Sequence, residues 1–303
     1  MGIPIPLMYL FEDKNGKKQV VDGRQRISAI LDFLEGKFKL NNLRILKQFN
    51  GCCFADLDLK QQGVIEDFQL LFYIIQPPTP ERVKYDIFDR VNRGGTPLNK
   101  QEMRNALYRG RCTRMLDKLC CSPEFLIATG RSINKERMKD QYVVLRAMAF
   151  LMLHRGEFKD IPALQYRGDI DDFLARFMVY VNDNAPEKLI VDYENLFIRC
   201  MQISYDLLGE NGFRFSGNGI RRPINMPLFE ALSYLFSFVP EKIDYTWASR
   251  LILDIESVKE EFDDSRYFSG NIDSTTSVSF RFDRMDKIIT GFSYDKTYTN
   301  KRL

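Results

Sequence analysis

The sequence has very little histidine, and this scarcity excludes several kinds of enzyme. Its 303 residues include only His154. Nucleases of the HNH type need more than one histidine, because metal binding and catalysis are divided between imidazoles. A Ser-His-Asp triad would have to be built on His154, which lies at the end of the helical periodicity that begins at Val143. A histidine at a helix end is usually structural, so we expect neither a self-contained nuclease nor a triad.

The cysteines lack any Cys-x-x-Cys spacing, so neither a zinc site nor a thioredoxin-like pair is supported. Reduced thiols in a cytoplasmic protein fit this usage best. One pattern, Asp22 with Glu35-Gly36-Lys37, matches the spacing of a metal-dependent nuclease. That chemistry needs acidic residues on adjoining strands, whereas Gly36 is expected to stop a helix, so we predict no metal site. The six cysteines are Cys52, Cys53, Cys112, Cys120, Cys121 and Cys200.

Long apolar runs are also missing, so no membrane segment is predicted. The first eleven residues are apolar but lack the basic lead and the small-residue cleavage site of a signal peptide. These absences, with the cysteine usage, predict a cytoplasmic protein that has no membrane partner.

Charge of one sign does not dominate either. The chain has 44 Lys and Arg against 41 Asp and Glu, a formal net charge of +3. That excess is too small to require nucleic acid, so any DNA affinity must come from local clusters. One basic cluster follows Phe213-Arg214-Phe215, and a second follows Ser277. Serine and arginine side chains can contact phosphates, and aromatic rings can stack on bases. The alternative is plain solvated charge. The arginines in question are Arg221, Arg222, Arg281 and Arg284.

What the sequence does contain is a strand that leads directly into a charged turn and a helix. Val20-Val21 ends one strand of a predicted hairpin, whose turn at Asn15-Gly16 has residues that favour positive φ. The run Asp22 to Arg26 follows, and apolar residues then recur at helical spacing from Ile27 to Leu34. The free N–H groups and positive dipole end of that helix, together with two guanidinium groups, suit a phosphate. Alternatively, Asp22 is only a cap and both arginines are solvated.

A second charged segment, Phe88 to Asn105, is predicted to be a helix end, a Gly-Gly break and a new helix. Gly94 and Gly95 terminate the first helix, and Asn99 with Glu102 has the spacing of an N-terminal capping box. Taken alone, the segment is explained better as a loop with a solvated face. The arginines around the junction are Arg90, Arg93 and Arg104.

Together, the two segments resemble the N-terminal domain of GmrSD-type modification-dependent restriction enzymes, which belongs to the ParB/sulfiredoxin-like group. The first motif of that family, Asp-Gly-Gln-Gln-Arg, matches Asp22 to Arg26, with Arg24 standing where glutamine is usual. The second motif, Phe-x-Arg-x-Asn-x-Gly-Gly-x-x-Leu-x-x-x-Glu-x-Arg-Asn, matches Phe88 to Asn105. The resemblance covers about residues 2–110, and two motifs in order are more specific than either alone.

The resemblance implies a small mixed sheet with helices, in which this turn lies beside bound nucleotide phosphates. Members are associated with nucleotide hydrolysis, with DNA and with defence against foreign DNA. The expected ligand is therefore a nucleoside triphosphate, with or without Mg²⁺. By the same resemblance, the expected catalytic residues are Asp22, Gln25 and Arg26, and the expected phosphate-binding residues are Gly23, Arg24, Arg26, Arg90 and Asn92.

Two departures from the family pattern bear on activity. Arg24 replaces a neutral amide by a permanent cation, which strengthens phosphate attraction but disturbs any positioning of water by glutamine. Relatives also carry an upstream Gln-Arg and aromatic segment before a Gly-x-Pro-x-Pro step, and this chain opens at that step with Gly2, Pro4 and Pro6. We expect either an N-terminally short form of the domain or one whose missing elements come from elsewhere. Such a site could bind without turning over.

Beyond about residue 110, helical periodicity dominates. We therefore expect the α+β class, with a mostly helical domain at 111–303 and, as the resemblance implies, a ParB/sulfiredoxin-like nucleotide-binding domain at 1–110. Stripes within 170–181, 189–208, 226–236 and 247–262 are expected to be core, as is Cys120. The apolar run 69–76 is expected to be a buried strand. We expect Glu102 and Arg104 to hold a helix start against the sheet.

These features favour a nucleotide-binding, NTP-hydrolysing sensor or regulatory component of a restriction or anti-phage system. Its expected partners are the nucleotide, DNA and a separate nuclease. The alternative is a non-catalytic subunit that binds DNA or docks a partner.

Overall fold

The computed structural model describes residues 4–12, 16–76, 83, 87, 98–216, 221–240 and 244–292. The chain divides into two compact units, Met1–Leu98 and Asn99–Leu303. The first contains a small sheet, and the described part of the second is built of helices. The predicted α+β class, with a mixed sheet followed by a helical region, is confirmed.

Among the described residues, three short strands form the sheet: β1 Met8–Glu12, β2 Lys18–Asp22 and β3 Phe72–Ile75. β1 is central, antiparallel to β2 and parallel to β3. A tight turn suffices between antiparallel neighbours, whereas a parallel neighbour requires a longer crossover. That crossover carries two helices, α1 Arg24–Leu34 and α2 Leu59–Glu66. The sheet is therefore mixed because one connection is a hairpin and the other is helical.

The register of the hairpin shifts close to the charged turn. Tyr9 lies opposite Asp22 while Leu10 lies opposite Val20, so β2 has one extra residue, Val21, at this point. Such a bulge increases the local twist and changes the direction in which the next side chain points. Val21 is buried. The bulge therefore fixes the end of β2 from which Asp22 projects.

The expectation that 69–76 forms a buried strand is half correct. β3 occupies Phe72–Ile75, but only Ile75 is buried, and the first three side chains of the strand are exposed. A short apolar run indicates an extended element, but its periodicity does not show how many layers cover it. β3 has β1 on one side, and no described strand pairs with its other edge.

The helical unit contains nine described helices, several of which coincide with the predicted apolar stripes. Their order is α3 Lys100–Leu107, α4 Arg111–Cys120, α5 Pro123–Ala128, α6 Lys139–His154, α7 Ile170–Asp183, α8 Glu187–Leu208, α9 Met226–Phe236, α10 Tyr245–Asp264 and α11 Thr275–Phe292.

Two of these helices are buried on every side. In α9 every residue from Pro227 to Phe236 is buried, and in α6 the run Val143–Met152 is buried throughout. α9 packs against α6, α8 and α11. A helix that is apolar all round belongs at the centre of a domain, so α6 and α9 form the core. The predicted core stripes of α7 to α10 are confirmed, and Cys120 is buried as expected.

The start of α3 has the predicted capping box. The Asn99 side chain accepts hydrogen bonds from the backbone N–H groups of Gln101 and Glu102, and Glu102 accepts from the Asn99 N–H. Arg104 is structural and bonds within the helical unit. It is fully buried and donates to the Asp171 carboxylate of α7 over 2.8 Å. The capping spacing is local and readable, whereas the partner of a long side chain is set by helix packing.

Candidate functional site

The charged turn between β2 and α1 has the shape that the sequence predicts. α1 begins at Arg24, directly behind Gly23, whose φ of 94° lies in the left-handed region. A Cβ on Gly23 would lie 2.4 Å from the Met8 side chain, so no larger residue fits without a shift. Glycine is therefore required twice over, for its backbone angle and for the close approach to β1.

No side chain in the described part of the protein caps the N-terminus of α1. The backbone of Gly23 supplies only its carbonyl, which accepts from the Ile27 N–H over 2.8 Å. The first N–H groups of the helix therefore retain their capacity to donate, and the helix dipole places positive potential there. The interpretation of Asp22 as a helix cap is not what the geometry shows.

Asp22 instead pairs with Arg26. The Arg26 Nη2 atom donates to Asp22 Oδ2 over 2.5 Å, and Arg26 Nη1 donates to the Pro6 carbonyl over 2.6 Å. Both side chains are partly exposed, at 26% for Asp22 and 31% for Arg26. Two of the five N–H groups of the guanidinium are thus used, which fixes its plane and leaves others for a ligand. No sequence pattern points to Pro6, because its contribution is a backbone carbonyl.

Arg24 and Gln25 are exposed on the first turn of α1. Arg24 is therefore the accessible cation of the turn, while Arg26 is the anchored one. Exposed guanidinium, free backbone N–H groups and a positive helix end together form a place where an anion such as phosphate is stabilised. A Mg²⁺ ion brought by a triphosphate takes mainly phosphate and water oxygens, with one or two carboxylates. Asp22 is the one carboxylate in the run 22–26 that fits this need.

The second motif cannot be placed against this turn. Arg90, Asn92, Gly94 and Gly95 lie outside the residues that the structure describes. The expected shared cleft between Arg90 and Arg26 remains a prediction.

The arginines expected to contact DNA are paired with carboxylates. Arg221 contacts Glu210 at 2.7 Å, Arg222 contacts Asp263 and Arg284 contacts Glu261. Each of these cations is locally neutralised, which weakens it as a phosphate ligand.

For Arg281 the structure corrects the prediction. The side chain is fully buried, donates to Glu230 Oε2 over 2.7 Å and donates to the Ile272 carbonyl over 2.7 Å. No surface of Arg281 is available to DNA. Phe213, Arg214 and Phe215 are likewise buried, so they cannot stack on bases. Interleaved aromatic and basic residues can be core packing, and the sequence alone does not separate the two cases.

The buried cysteines are not nucleophiles. Burial raises the pKa of Cys200 to about 12 and raises the pKa of Cys112 and Cys120 as well. These thiols are therefore protonated at neutral pH, and a thiol is a weak nucleophile. Within the described ranges, no set of His, Cys, Asp and Glu side chains is arranged to hold a metal ion. No described helix is both long and apolar enough to span a bilayer.

Comparisons with known proteins identify the first part of the chain. No curated protein and no solved structure matches it. One protein-family model does match, over residues 1–109, and its description is GmrSD restriction endonuclease, N-terminal domain. The matched segment contains both motifs, the turn at Asp22 to Arg26 and the segment from Phe88 to Asn105. The predicted resemblance is confirmed: residues 1–109 match the N-terminal domain of GmrSD restriction endonucleases, which points to a component of a restriction system.

Proposed function

We propose that this protein is a nucleotide-binding sensor or regulatory component of a restriction or anti-phage system that acts on foreign DNA. The observation that carries the proposal is the turn at Asp22 to Arg26, where an uncapped helix start, an exposed Arg24 and an anchored Arg26 converge. The family match over residues 1–109 supports the link to restriction. The ligand proposed for the turn is a nucleoside triphosphate with Mg²⁺.

In this proposal each residue of the turn has a separate role. The backbone N–H groups at the start of α1 and the Arg24 guanidinium hold phosphate oxygens, and Gly23 allows the phosphate to approach the backbone. Arg26 adds a charge-assisted bond in an orientation set by Asp22. Asp22 and Gln25 are the groups available to position an attacking water for hydrolysis. Arg90 and Asn92 are proposed to complete the phosphate site.

In the structure, the Asp22 carboxylate is already paired with Arg26. That pairing favours the alternative of a subunit that binds nucleotide or DNA without hydrolysis. In either case the chain has one histidine, so we propose that DNA cleavage belongs to a separate nuclease partner.

The first prediction tests binding at the turn. Replacing Arg26 by alanine removes a charge-assisted hydrogen bond worth about 1.5–3 kcal/mol, so nucleotide affinity should fall at least about tenfold. Calorimetry of the full chain with each of the four nucleoside triphosphates and Mg²⁺ measures this. Lys60→Ala on α2 is the matched control, because it removes an exposed cation that is outside the turn. Unchanged affinity in Arg26→Ala would overturn the site.

The second prediction separates hydrolysis from binding. Asp22→Asn keeps the size of the side chain and its contact with Arg26 while removing its charge. If Asp22 positions water, phosphate release should fall at least about tenfold while the calorimetric affinity stays near that of the wild type. No phosphate release by the wild-type protein with any nucleotide would contradict turnover and leave the binding-only alternative.

A further inference from the structure

The connection between α1 and α2 contains a closed loop, residues 37–52, which we call the basic loop. The Leu40 N–H donates to the Cys52 carbonyl over 2.9 Å, and the Gly51 N–H donates to the Leu40 carbonyl over 2.7 Å. Inside this closure, the Asn50 side chain bonds both the N–H and the carbonyl of Leu43, at 2.8 and 3.2 Å. A loop that is closed at its base and tied by an amide presents its tip in a defined conformation.

The charge of the basic loop is entirely positive. Between Gly36 and Ala55 the sequence has four cations and no Asp or Glu. One of them, Lys37, is neutralised by Asp32 and Glu35 of α1, at 2.9 and 2.6 Å. The other three, Lys39, Arg44 and Lys47, are exposed, and none of them forms an ion pair with a described carboxylate. Lys39 acts on Asp56 only at longer range, where its charge helps to lower the pKa of that carboxyl.

The tip of the loop also exposes an apolar side chain. Ile45, which follows Arg44 directly, is 74% exposed. Proteins that bind the minor groove of DNA use such side chains as wedges between base steps, with nearby cations on the phosphates. Phe38 is 41% exposed but its ring packs on Phe33 at 5.5 Å, and Phe49 is half-buried, so Ile45 is the most exposed apolar side chain of the loop.

We infer that the basic loop is a contact surface for double-stranded DNA. Lys39, Arg44 and Lys47 neutralise backbone phosphates, and Ile45 enters the groove between them. This inference rests on the proposed action on DNA, but it uses none of the residues of the nucleotide turn.

The loop and the nucleotide turn lie at opposite ends of one helix. α1 begins at the turn, and its buried Phe33 contacts Phe38 and Phe54, one at the base of the loop and one just beyond it. At 1.5 Å per residue, the 11 residues of α1 span about 16 Å. The basic loop and the proposed nucleotide turn are therefore connected through the length of one helix.

The test compares two triple variants of the full chain that remove the same charge. The loop variant is Lys39→Gln, Arg44→Gln and Lys47→Gln. The control is Arg221→Gln, Arg222→Gln and Arg284→Gln, which removes the ion-paired arginines of the helical unit. Binding to a short fluorescent duplex is measured by anisotropy over a salt series, and thermal unfolding confirms that both variants fold.

The loop variant should bind the duplex at least about tenfold more weakly at low salt. The slope of log affinity against log salt should fall by about 2 to 3, since about 0.9 is lost for each phosphate contact. The control variant should change affinity by about twofold or less, because its cations are already neutralised. Ile45→Ser should weaken duplex binding by about threefold while leaving the salt slope unchanged, since no charge is removed.

Three outcomes would overturn the inference. One is absence of duplex binding by the wild type at low salt, and another is equal binding by the loop variant and the control. The third is retained duplex binding by the loop variant with lost binding to vesicles of phosphatidylcholine and phosphatidylserine, which would assign the loop to a membrane surface. Nucleotide calorimetry on the loop variant keeps the two proposals separate. Normal nucleotide affinity with weak DNA binding supports the loop even if Arg26→Ala leaves nucleotide binding unchanged.

Discussion

At the residue scale, Gly23 is a position where both the backbone angle and the available space favour glycine. Its φ of 94° is poorly available to other residues, and a Cβ there meets Met8 at 2.4 Å. Gly36, after α1, has a similar φ of 71° but open space around its Cβ position. The two glycines therefore separate the cost of backbone strain from the cost of a steric clash.

The third prediction uses this difference. Gly36→Ala should destabilise the protein by about 1 kcal/mol through its backbone angle alone. Gly23→Ala adds the clash and should cost about 2–4 kcal/mol, with weaker nucleotide binding as the turn shifts. Denaturant unfolding of both variants measures the difference. Equal costs would show that Met8 moves aside freely.

His154 is the second residue whose environment decides its behaviour. It stacks on Phe282 at 3.6 Å, and its buried Nε2 atom has no hydrogen-bond partner among the described residues. Burial, and next the positive charge of Arg281, lower the pKa of His154 to about 3. A helix C-terminus normally favours the charged imidazole, but here desolvation dominates. The sequence-based expectation of a structural histidine agrees with this packing.

The fourth prediction concerns acid stability. The unfolded chain protonates His154 near pH 6.5, whereas the folded protein resists protonation until about pH 3. Stability is therefore fully present above pH 6.5 and falls as the pH drops, by up to about 2 kcal/mol at pH 5. His154→Phe should flatten this part of the profile of unfolding free energy against pH. An unchanged profile would show that other groups control acid unfolding.

At the element scale, α6, α9 and α11 are joined by buried charges. Glu230 of α9 accepts hydrogen bonds from Arg146 of α6 and from Arg281 of α11, and all three side chains are essentially inaccessible. Arg146 also donates to Asp273 over 2.6 Å. Two buried arginines are thus balanced by the buried Glu230 and the partly exposed Asp273. Such a network specifies which helix faces meet, because an unpaired charge in the interior is costly.

The fifth prediction tests this network. Glu230→Gln leaves two buried guanidinium groups short of negative charge and should destabilise the protein by about 3–5 kcal/mol. Glu261→Gln is the matched control, because it removes the partly exposed partner of Arg284 and should cost at most about 1 kcal/mol. Thermal and denaturant unfolding compare the two. If both variants lose a similar free energy of unfolding, the buried network stabilises the protein no more than a partly exposed ion pair does.

At the scale of the whole molecule, the two units differ in how much of them the sequence predicts. In the helical unit, the apolar stripes correctly predict α7, α8, α9 and α10. A helix that buries one face has apolar residues at a spacing of three or four, and this spacing is visible in a short stretch of sequence. In the first unit, the hairpin and the helix behind it follow from turn residues. In the helical unit, the capping box of α3 follows from its cap residues. The exposure of β3 was mispredicted, since coverage depends on neighbours distant in sequence.

The candidate site shows the same division. Asp22 to Arg26 was recognised because a strand, a glycine and a helix start are consecutive in sequence. The anchoring of Arg26 by the Pro6 carbonyl was not predicted, because any residue can supply a carbonyl. The basic loop is not among the sequence-based predictions, although the absence of acidic residues between Gly36 and Ala55 is visible in the sequence. Its significance depends on the hydrogen bonds that close it.

The sequence by itself determined the α+β class, the strand-turn-helix at Asp22 to Arg26 and the match to the restriction family. These properties depend on spacing and on residues that are neighbours along the chain. Only the tertiary structure decided which arginine side chains are available to bind a ligand. Arg281 and Arg284 are three residues apart on α11, yet Arg281 is held in the core by Glu230 whereas Arg284 pairs with Glu261 near the surface. The reason is that the charge available to a ligand depends on which carboxylates folding brings within a few ångströms.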